Sequence, residues 1–231
     1  MRPATKGRVM HYVFQFGIVL DNVPLLLYGA WLTIRLSAMA MLFGLIVGVL
    51  GAAISTAGPF WARILVRVYV EVIRNTPFLV QIFIVYFSLP AIGLRMRADQ
   101  AALLAMTINL GAYAAEIVRG GIEAVPQSQV EAARALGLRG VHIFRFVVLM
   151  PALRIAYPAL VSQFILLMLG SSVVSSISAV DLTAITNTLQ STTFRSFEFY
   201  FAATLIYLAM ALGFRLLLDA VGWFAFRRYP A

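Results

Sequence analysis

At 231 residues, 62% hydrophobic and only 12% charged, with a mean hydropathy of +0.92, the chain is far more apolar than a soluble domain, which carries about a quarter charged residues. Its net charge of +9 comes almost wholly from arginine, and these arginines flank apolar runs instead of forming a basic patch among exposed aromatics, which fits membrane orientation and excludes nucleic acid as a partner. No cysteine, two distant histidines (His11 and His142) and no GxxxxGK loop leave no material for disulfides, thiolate or histidine metal sites, histidine-based catalysis or ATP hydrolysis by this chain itself.

The chain opens with Arg2, Lys6 and Arg8, followed by a charge-free run from Val9 to Leu20. That run is shorter than the roughly 20 residues a span needs, and no small-residue cleavage site follows. Residues 1–23 therefore read as an uncleaved, interfacial entry segment. The 27 residues from Leu36 to Ala62 carry no charge and include Gly44, Gly48, Gly51, Ala52 and Ala53. They predict a first span over 25–55 that stops near Gly58-Pro59, with small residues that let another helix approach closely. Arg35 lies inside it and must snorkel or find a partner.

A second span is expected over 69–90. It opens with Glu71 and Arg74, and Pro77 inside its apolar run removes a helix hydrogen bond, so the span bends or starts at the proline. A buried Thr76 and Gln81 beside such a kink suit a gate or path wall, and equally a structural kink with satisfied polar groups. After a loop with Arg95, Arg97 and Asp99 comes a third span over 100–122, whose last part carries Glu116 and Arg119. Glu116 is a path candidate, or simply the partner of Arg119.

The longest interior stretch that looks water-facing runs from Pro126 to Pro151. Pro126 suits a helix start and Gly137 a helix stop, which gives a short helix over 126–136 with Glu131 and Arg134 on one side and Val130, Ala133 and Leu136 on another. Such a helix, held at a membrane surface between two spans, is a handle for a soluble partner. A fourth span follows over 147–170, bent early by Pro151 and Pro158, with Ser162 and Gln163 in its middle. A serine-rich run, a polar external helix and loop over 181–197, a final span over 197–219 and an arginine-anchored tail at 227–231 complete the chain.

Three stretches resemble one family. Glu131-Ala132-Ala133, three residues, Gly137, nine residues and Val147-Val148-Leu149 looks like the EAA loop of membrane permease subunits of bacterial ATP-binding-cassette (ABC) importers. Arg74, Thr76, Pro77, Leu79, Val80 and Gln81 match the RGTPLLVQ signature of the polar-amino-acid branch, with Asn75 in place of its glycine. INLGAYAAEIVRGGIEAVPQSQVEAA, residues 108–133, is similar to that branch throughout. The outer pattern at Ser171, Ser172, Val174, Ser175, Ile177, Asp181 and Leu182 is kept, while Leu169 stands where a lysine is usual and Met150 where a proline is usual.

The resemblance implies an all-α membrane protein of five transmembrane helices with type I importer permease (MetI-like) architecture. The permease domain would run over 24–226, with the cytoplasmic coupling loop at 123–146. Glu131, Ala132, Ala133 and Gly137 would engage a separate ATPase subunit, which binds the ATP and magnesium; no cofactor is assigned to this chain. A second permease subunit, identical or paralogous, would share the path, and a periplasmic or lipid-anchored solute-binding protein would deliver histidine, glutamate, glutamine, arginine, an opine or a similar solute across the bacterial inner membrane. Thr76, Pro77, Gln81, Glu116, Ser162 and Gln163 are the candidate path or gate residues. With the loop placed inside, the inner segments hold nine arginines against six basic residues outside, although the basic N-terminal tail runs against that bias. Five spans without an internal repeat are few for a solitary carrier, whose paired repeats usually surround a midplane site. A secondary carrier, or a channel or scaffold without ATPase coupling, stays open as an alternative, though a carrier would need ionisable groups deep in the membrane.

Overall fold

Apolar runs in lipid must satisfy their own backbone, and the helix does so within one segment. A computed structural model describes residues 13–227, and its regular structure is helical, with no strand among the described residues. A short α1 (Gly17–Asp21) leads into α2 (Val23–Ala57), which Pro24 helps to start and Gly58-Pro59 ends. The expected basic start, Arg2 to Arg8, and the tail beyond Arg227 lie outside the described residues. Part of the entry segment, 13–16, docks against the far end of the chain, where the Gln15 backbone N–H donates to Glu198 Oε1 (3.0 Å).

The second span differs most from expectation. It is two helices, α3 (Phe60–Arg74) and α4 (Phe78–Ser88), bent by 109° at Asn75–Pro77. The 11 residues of α4 rise only about 16 Å, roughly half the hydrocarbon thickness, so α3 and α4 together make one broken span. Glu71 and Arg74 thus belong to a separate amphipathic helix and do not open a continuous one. The third span is α5 (Ala98–Glu123), followed by the loop helix α6 (Gln127–Ala135). The fourth begins earlier than expected, as α7 (Gly140–Ile143), a π turn over Phe144–Val148 and α8 (Leu149–Gly170), and continues as a 3₁₀ stretch over Ser171–Ile177. The widened π turn lies just before Pro151, whose ring would crowd the Val147 carbonyl in a regular helix. Then come α9 (Leu182–Thr193) and α10 (Ser196–Phe226). Among the described residues, four helical segments are long and apolar enough to cross a membrane, and the bent pair makes five.

The core is built around α5, which packs against α2, α3, α4 and α8. Small residues set the closest seam: a Cβ on Gly44 would sit 2.8 Å from the Leu110 side chain, one on Gly51 3.0 Å from Ala115, and one on Gly48 would collide with Ala114. Arg35 lies on the exposed side of α2, away from this seam. By contrast α10 buries little, and Leu205, Leu208, Leu212 and Leu216 face outward as an apolar stripe. Its last turn stacks Arg227 over Trp223, 5.2 Å from the ring centre.

Opposite the α6 end of the bundle, a polar knot joins α2, α9 and α10. Asp181 N-caps α9 by accepting from the Ala184 N–H (2.7 Å), and Tyr207 Oη lies 3.3 Å from its other oxygen and 2.9 Å from Thr183 Oγ1. Thr33 of α2 accepts from the Leu182 N–H (3.1 Å), and Gly29 lets that backbone approach, since a Cβ there would be 2.9 Å from Leu182 Cα. Burial pushes the Asp181 carboxyl up to about 6, against the opposing pull of the N–H and hydroxyl groups around it.

Candidate functional site

The break between α3 and α4 follows from one missing donor. Pro77 has no N–H, and extended backbone there (ψ 136) leaves the last carbonyls of α3 without helical partners. Gln81, buried one turn into α4, reaches back to supply them. Its Nε2 donates to Ile73 O (2.7 Å), Thr76 O (3.0 Å) and Thr76 Oγ1 (2.9 Å), and its Oε1 accepts from Asn109 Nδ2 of α5 (2.9 Å). An amide carries two protons, so one donation is shared. Thr76 in turn donates to Val72 O (2.9 Å). Leaving a buried partner of this set unsatisfied would cost about 1–3 kcal/mol. Expected as buried, Thr76 is exposed at the break, and Gln81 is the buried member.

Below the break, α3, the end of α2 and the last turns of α5 line an open cavity of about 380 Å³. Glu116 stands at its wall with Arg119, whose Nη2 and Nε lie 2.6 and 2.9 Å from the two carboxylate oxygens. Arg119 also meets Glu123 (2.5 Å), and Arg74 approaches Glu116 (3.8 Å) while covering the Tyr113 ring. These side chains are partly exposed, so each pair adds only about 0–1 kcal/mol of stability. Glu116 is therefore paired from two helices, and this pairing joins α3 to α5. A second link is stronger in geometry: Tyr69 Oη donates to the Ile108 carbonyl (2.6 Å), passing over Gly111, where a Cβ would lie 2.8 Å from that oxygen. Arg63, Arg67 and Glu71 line the same cavity from α3.

The loop helix α6 is fixed by both its face and its end. Ala133 is buried with Val125, Ile143, Val148 and Ala152, while Glu131, Ala132 and Arg134 point away from that cluster into the open. Leu136, expected on the apolar side, is 81% exposed because the helix has already ended there. The Gly137 N–H donates to Arg134 O (2.9 Å) and the Leu138 N–H to Ala133 O (3.2 Å), the pair of bonds that defines a Schellman close. Gly137 sits at φ +76 with nothing within 4 Å of a Cβ position, so backbone conformation alone calls for glycine.

On α8, Ser162 is exposed and donates to Pro158 O (3.1 Å), the carbonyl one turn earlier. Gln163 is half-buried. Neither side chain hydrogen-bonds to the kink or to the charged cavity among the described residues. The structure therefore brings Thr76, Pro77 and Gln81 into one network and Glu116 into the adjoining cavity, with Ser162 and Gln163 apart from both. Reading the sequence missed Asn109, Tyr69, Arg63 and Arg67. Arg63 and Arg67 are spaced i and i+4 with Glu71 after them, so the polar stripe of α3 was visible; Asn109 and Tyr69 gave no such signal.

Comparison with known proteins agrees with this architecture. Residues 23–222 match the family described as the inner membrane component of binding-protein-dependent transport systems. The glutamine transport system permease protein GlnP of Escherichia coli (strain K12) is 34% identical over 201 residues, covering 86% of this chain and 92% of its own. The octopine transport system permease protein OccM of Rhizobium meliloti is 34% identical over 194 residues, covering 80% of this chain and 79% of its own. Among solved structures, an amino acid ABC transporter crystallised with histidines has a chain that matches with TM-score 0.86 and 35% identity, covering 91% of this chain and 99% of that one. An inward-facing MetNI methionine ABC transporter matches with TM-score 0.71 at 21% identity, covering 89% and 98%, a likeness of fold.

Proposed function

Because this chain belongs to the family of inner membrane components of binding-protein-dependent transport systems, we propose that it is the permease subunit of an ATP-driven importer for a polar amino acid or an opine-like derivative. The names of its relatives, glutamine and octopine permeases, support that substrate class. It would work as a multi-pass protein of the bacterial inner membrane beside a second permease subunit, identical or paralogous. A periplasmic or lipid-anchored binding protein would hand over the solute on the side opposite α6. ATP and magnesium would be bound by separate ATPase subunits.

One observation carries the coupling role: α6 is anchored to its own chain by Ala133 and closed at Gly137, yet shows Glu131, Ala132 and Arg134 outward. A rigid helix with one face held and the other free is a docking element. It follows α5 directly, and α5 forms a wall of the charged cavity, so a partner pulling on α6 acts on the cavity too. ATP binding would then change the relative stability of two packings, opening the cavity to one side or the other. Thr76, Pro77, Gln81 and Glu116 would form the moving wall of the path, and Ser162 and Gln163 of α8 would line a separate part of it.

The test is reconstitution with candidate ATPase and binding-protein subunits from the same organism. Cysteine at Glu131 or Ala132 is expected to crosslink to the ATPase, and uptake is expected to require ATP. Gly137→Leu, which forces a side chain into left-handed backbone, is expected to abolish uptake while the protein still inserts and assembles. Uptake that runs on an ion gradient without ATP would assign a secondary carrier. Solute flow with neither would assign a channel.

A further inference from the structure

We infer that the α3 wall of the cavity is a reading station for a zwitterion: Arg63 and Arg67 hold a ligand carboxylate and Glu71 its ammonium group. This rests on the proposed transport of an amino acid and adds which part of the solute the cavity recognises.

The inference follows from an account of the charges in the cavity. Arg119 binds both Glu116 and Glu123, and Arg74 leans on Glu116, so these four groups neutralise one another within the chain. Arg63 and Arg67 line the same space, and neither has a carboxylate within ion-pair distance among the described residues. Glu71 accepts one hydrogen bond from Asn75 Nδ2 (3.0 Å), which leaves most of its acceptor sites open. The charges still available to a guest are thus two guanidinium groups and one carboxylate.

Their order matches an amino acid. Positions 63, 67 and 71 fall one turn apart on one face of α3, about 6 Å per step along the axis. Two guanidinium forks at adjacent turns suit a carboxylate, which accepts paired N–H donors in its own plane. The carboxylate of Glu71 lies one turn further on, where an ammonium group three bonds away would be reached by a flexible side chain. A volume of about 380 Å³ is at the small end of the range for small-molecule sites. The exposed apolar stripe of α3, Trp61, Leu65, Val68 and Val72, lies on another face of the helix. Arg63 and Arg67 are themselves exposed, on a face between that stripe and Val66 and Val70, which pack against α5.

The complete transporter, reconstituted in nanodiscs of zwitterionic lipid, would be incubated with an equimolar mixture of the twenty L-amino acids and octopine, and the retained solutes read by mass spectrometry. Proteoliposomes holding the same complex and its binding protein would be tested for ATP-dependent uptake of that mixture. Wild type is expected to retain at least one solute, and the double variant R63Q/R67Q at least tenfold less. Arg63→Lys with Arg67→Lys should recover part of the binding, and Glu71→Gln should lower it about threefold. Arg215→Gln, on the exposed side of α10, should leave it unchanged. If the double variant does not assemble, the two single Gln variants must each show a loss of at least threefold. Unchanged retention and uptake in the Gln variants would overturn the station and leave the permease reading intact. No ATP-dependent uptake of any of these solutes by the wild type would overturn the reading and the station together. In a parallel sample whose nanodiscs contain phosphatidylglycerol, retention of that lipid in place of solute, lost in the double variant, would assign the arginines to a lipid phosphate and also overturn the inference.

Discussion

The two ends of the bundle hold polar groups in opposite ways. In the cavity beside α3 and α5, formal charges meet formal charges, partly open to solvent, and Arg63 and Arg67 have no carboxylate partner among the described residues. In the knot around Asp181, one buried carboxyl is met by hydroxyls and backbone N–H groups and packed against Gly29. Partly exposed ion pairs stabilise a fold weakly, whereas a buried and satisfied polar group with tight packing is costly to disturb. The difference teaches that the knot satisfies its polar groups within the fold, whereas the cavity leaves two guanidinium groups without a carboxylate partner among the described residues.

Substitutions can break or sharpen that contrast. The largest effect is expected at the knot: Gly29→Leu must push the Leu182 backbone aside, and the folded protein should be lost from detergent extracts, as read by size-exclusion profile. Recovery of a stable Gly29→Leu protein would remove the knot from its role. Next, Glu116→Gln should reduce uptake at least about tenfold while thermal stability changes by less than about 1 kcal/mol, because the lost pairs are partly exposed. A large drop in melting temperature there would erase the distinction between the two ends.

A smaller effect concerns pH. The folded carboxyl of Asp181, at about 6, lies above its ordinary value of 3.8, so the fold favours the protonated form. Its contribution is full below about pH 4 and is lost as pH rises through 6, a change of up to about 2–3 kcal/mol. Asp181→Asn keeps an acceptor for the Ala184 N–H but cannot ionise. The gap in melting temperature between variant and wild type should therefore widen in favour of the variant from pH 4.5 to 7.5. A constant gap would mean that the carboxyl titrates like a solvated one. Smallest is Tyr207→Phe, which removes the bonds to Thr183 and Asp181 and should cost about 1 kcal/mol in a denaturation midpoint.

How much of this could be read without coordinates depended on whether a feature is local. The presence of the spans, the α6 helix and the need for glycine at 137 are local, and hydropathy and end signals found them. Pro77 gave warning of a bend, but one proline cannot state an angle. Pro158 lies inside α8, which continues through it, whereas Pro77 stands at the head of α4, after α3 has ended at Arg74. What separates them is whether distant groups, here Gln81 with Asn109 from another helix, can take over the freed carbonyls. The same limit hid the cavity. Glu116 with Arg119 is a three-residue interval and was visible, whereas the approach of Arg74 and the link from Tyr69 to Ile108 span 42 and 39 positions and depend on how α3 crosses α5.

The absent side chain at Gly111 has a mechanical consequence. It opens a notch into which Tyr69 fits, so that a phenol on one helix hooks the main chain of its neighbour at mid-length. Fastened there and again at Arg74, α3 is held to α5 along its length and parts from α4 at Asn75–Pro77. A methyl group at position 111 would press on the Tyr69 hydroxyl and on the Val47 side chain of α2 without touching a single charge.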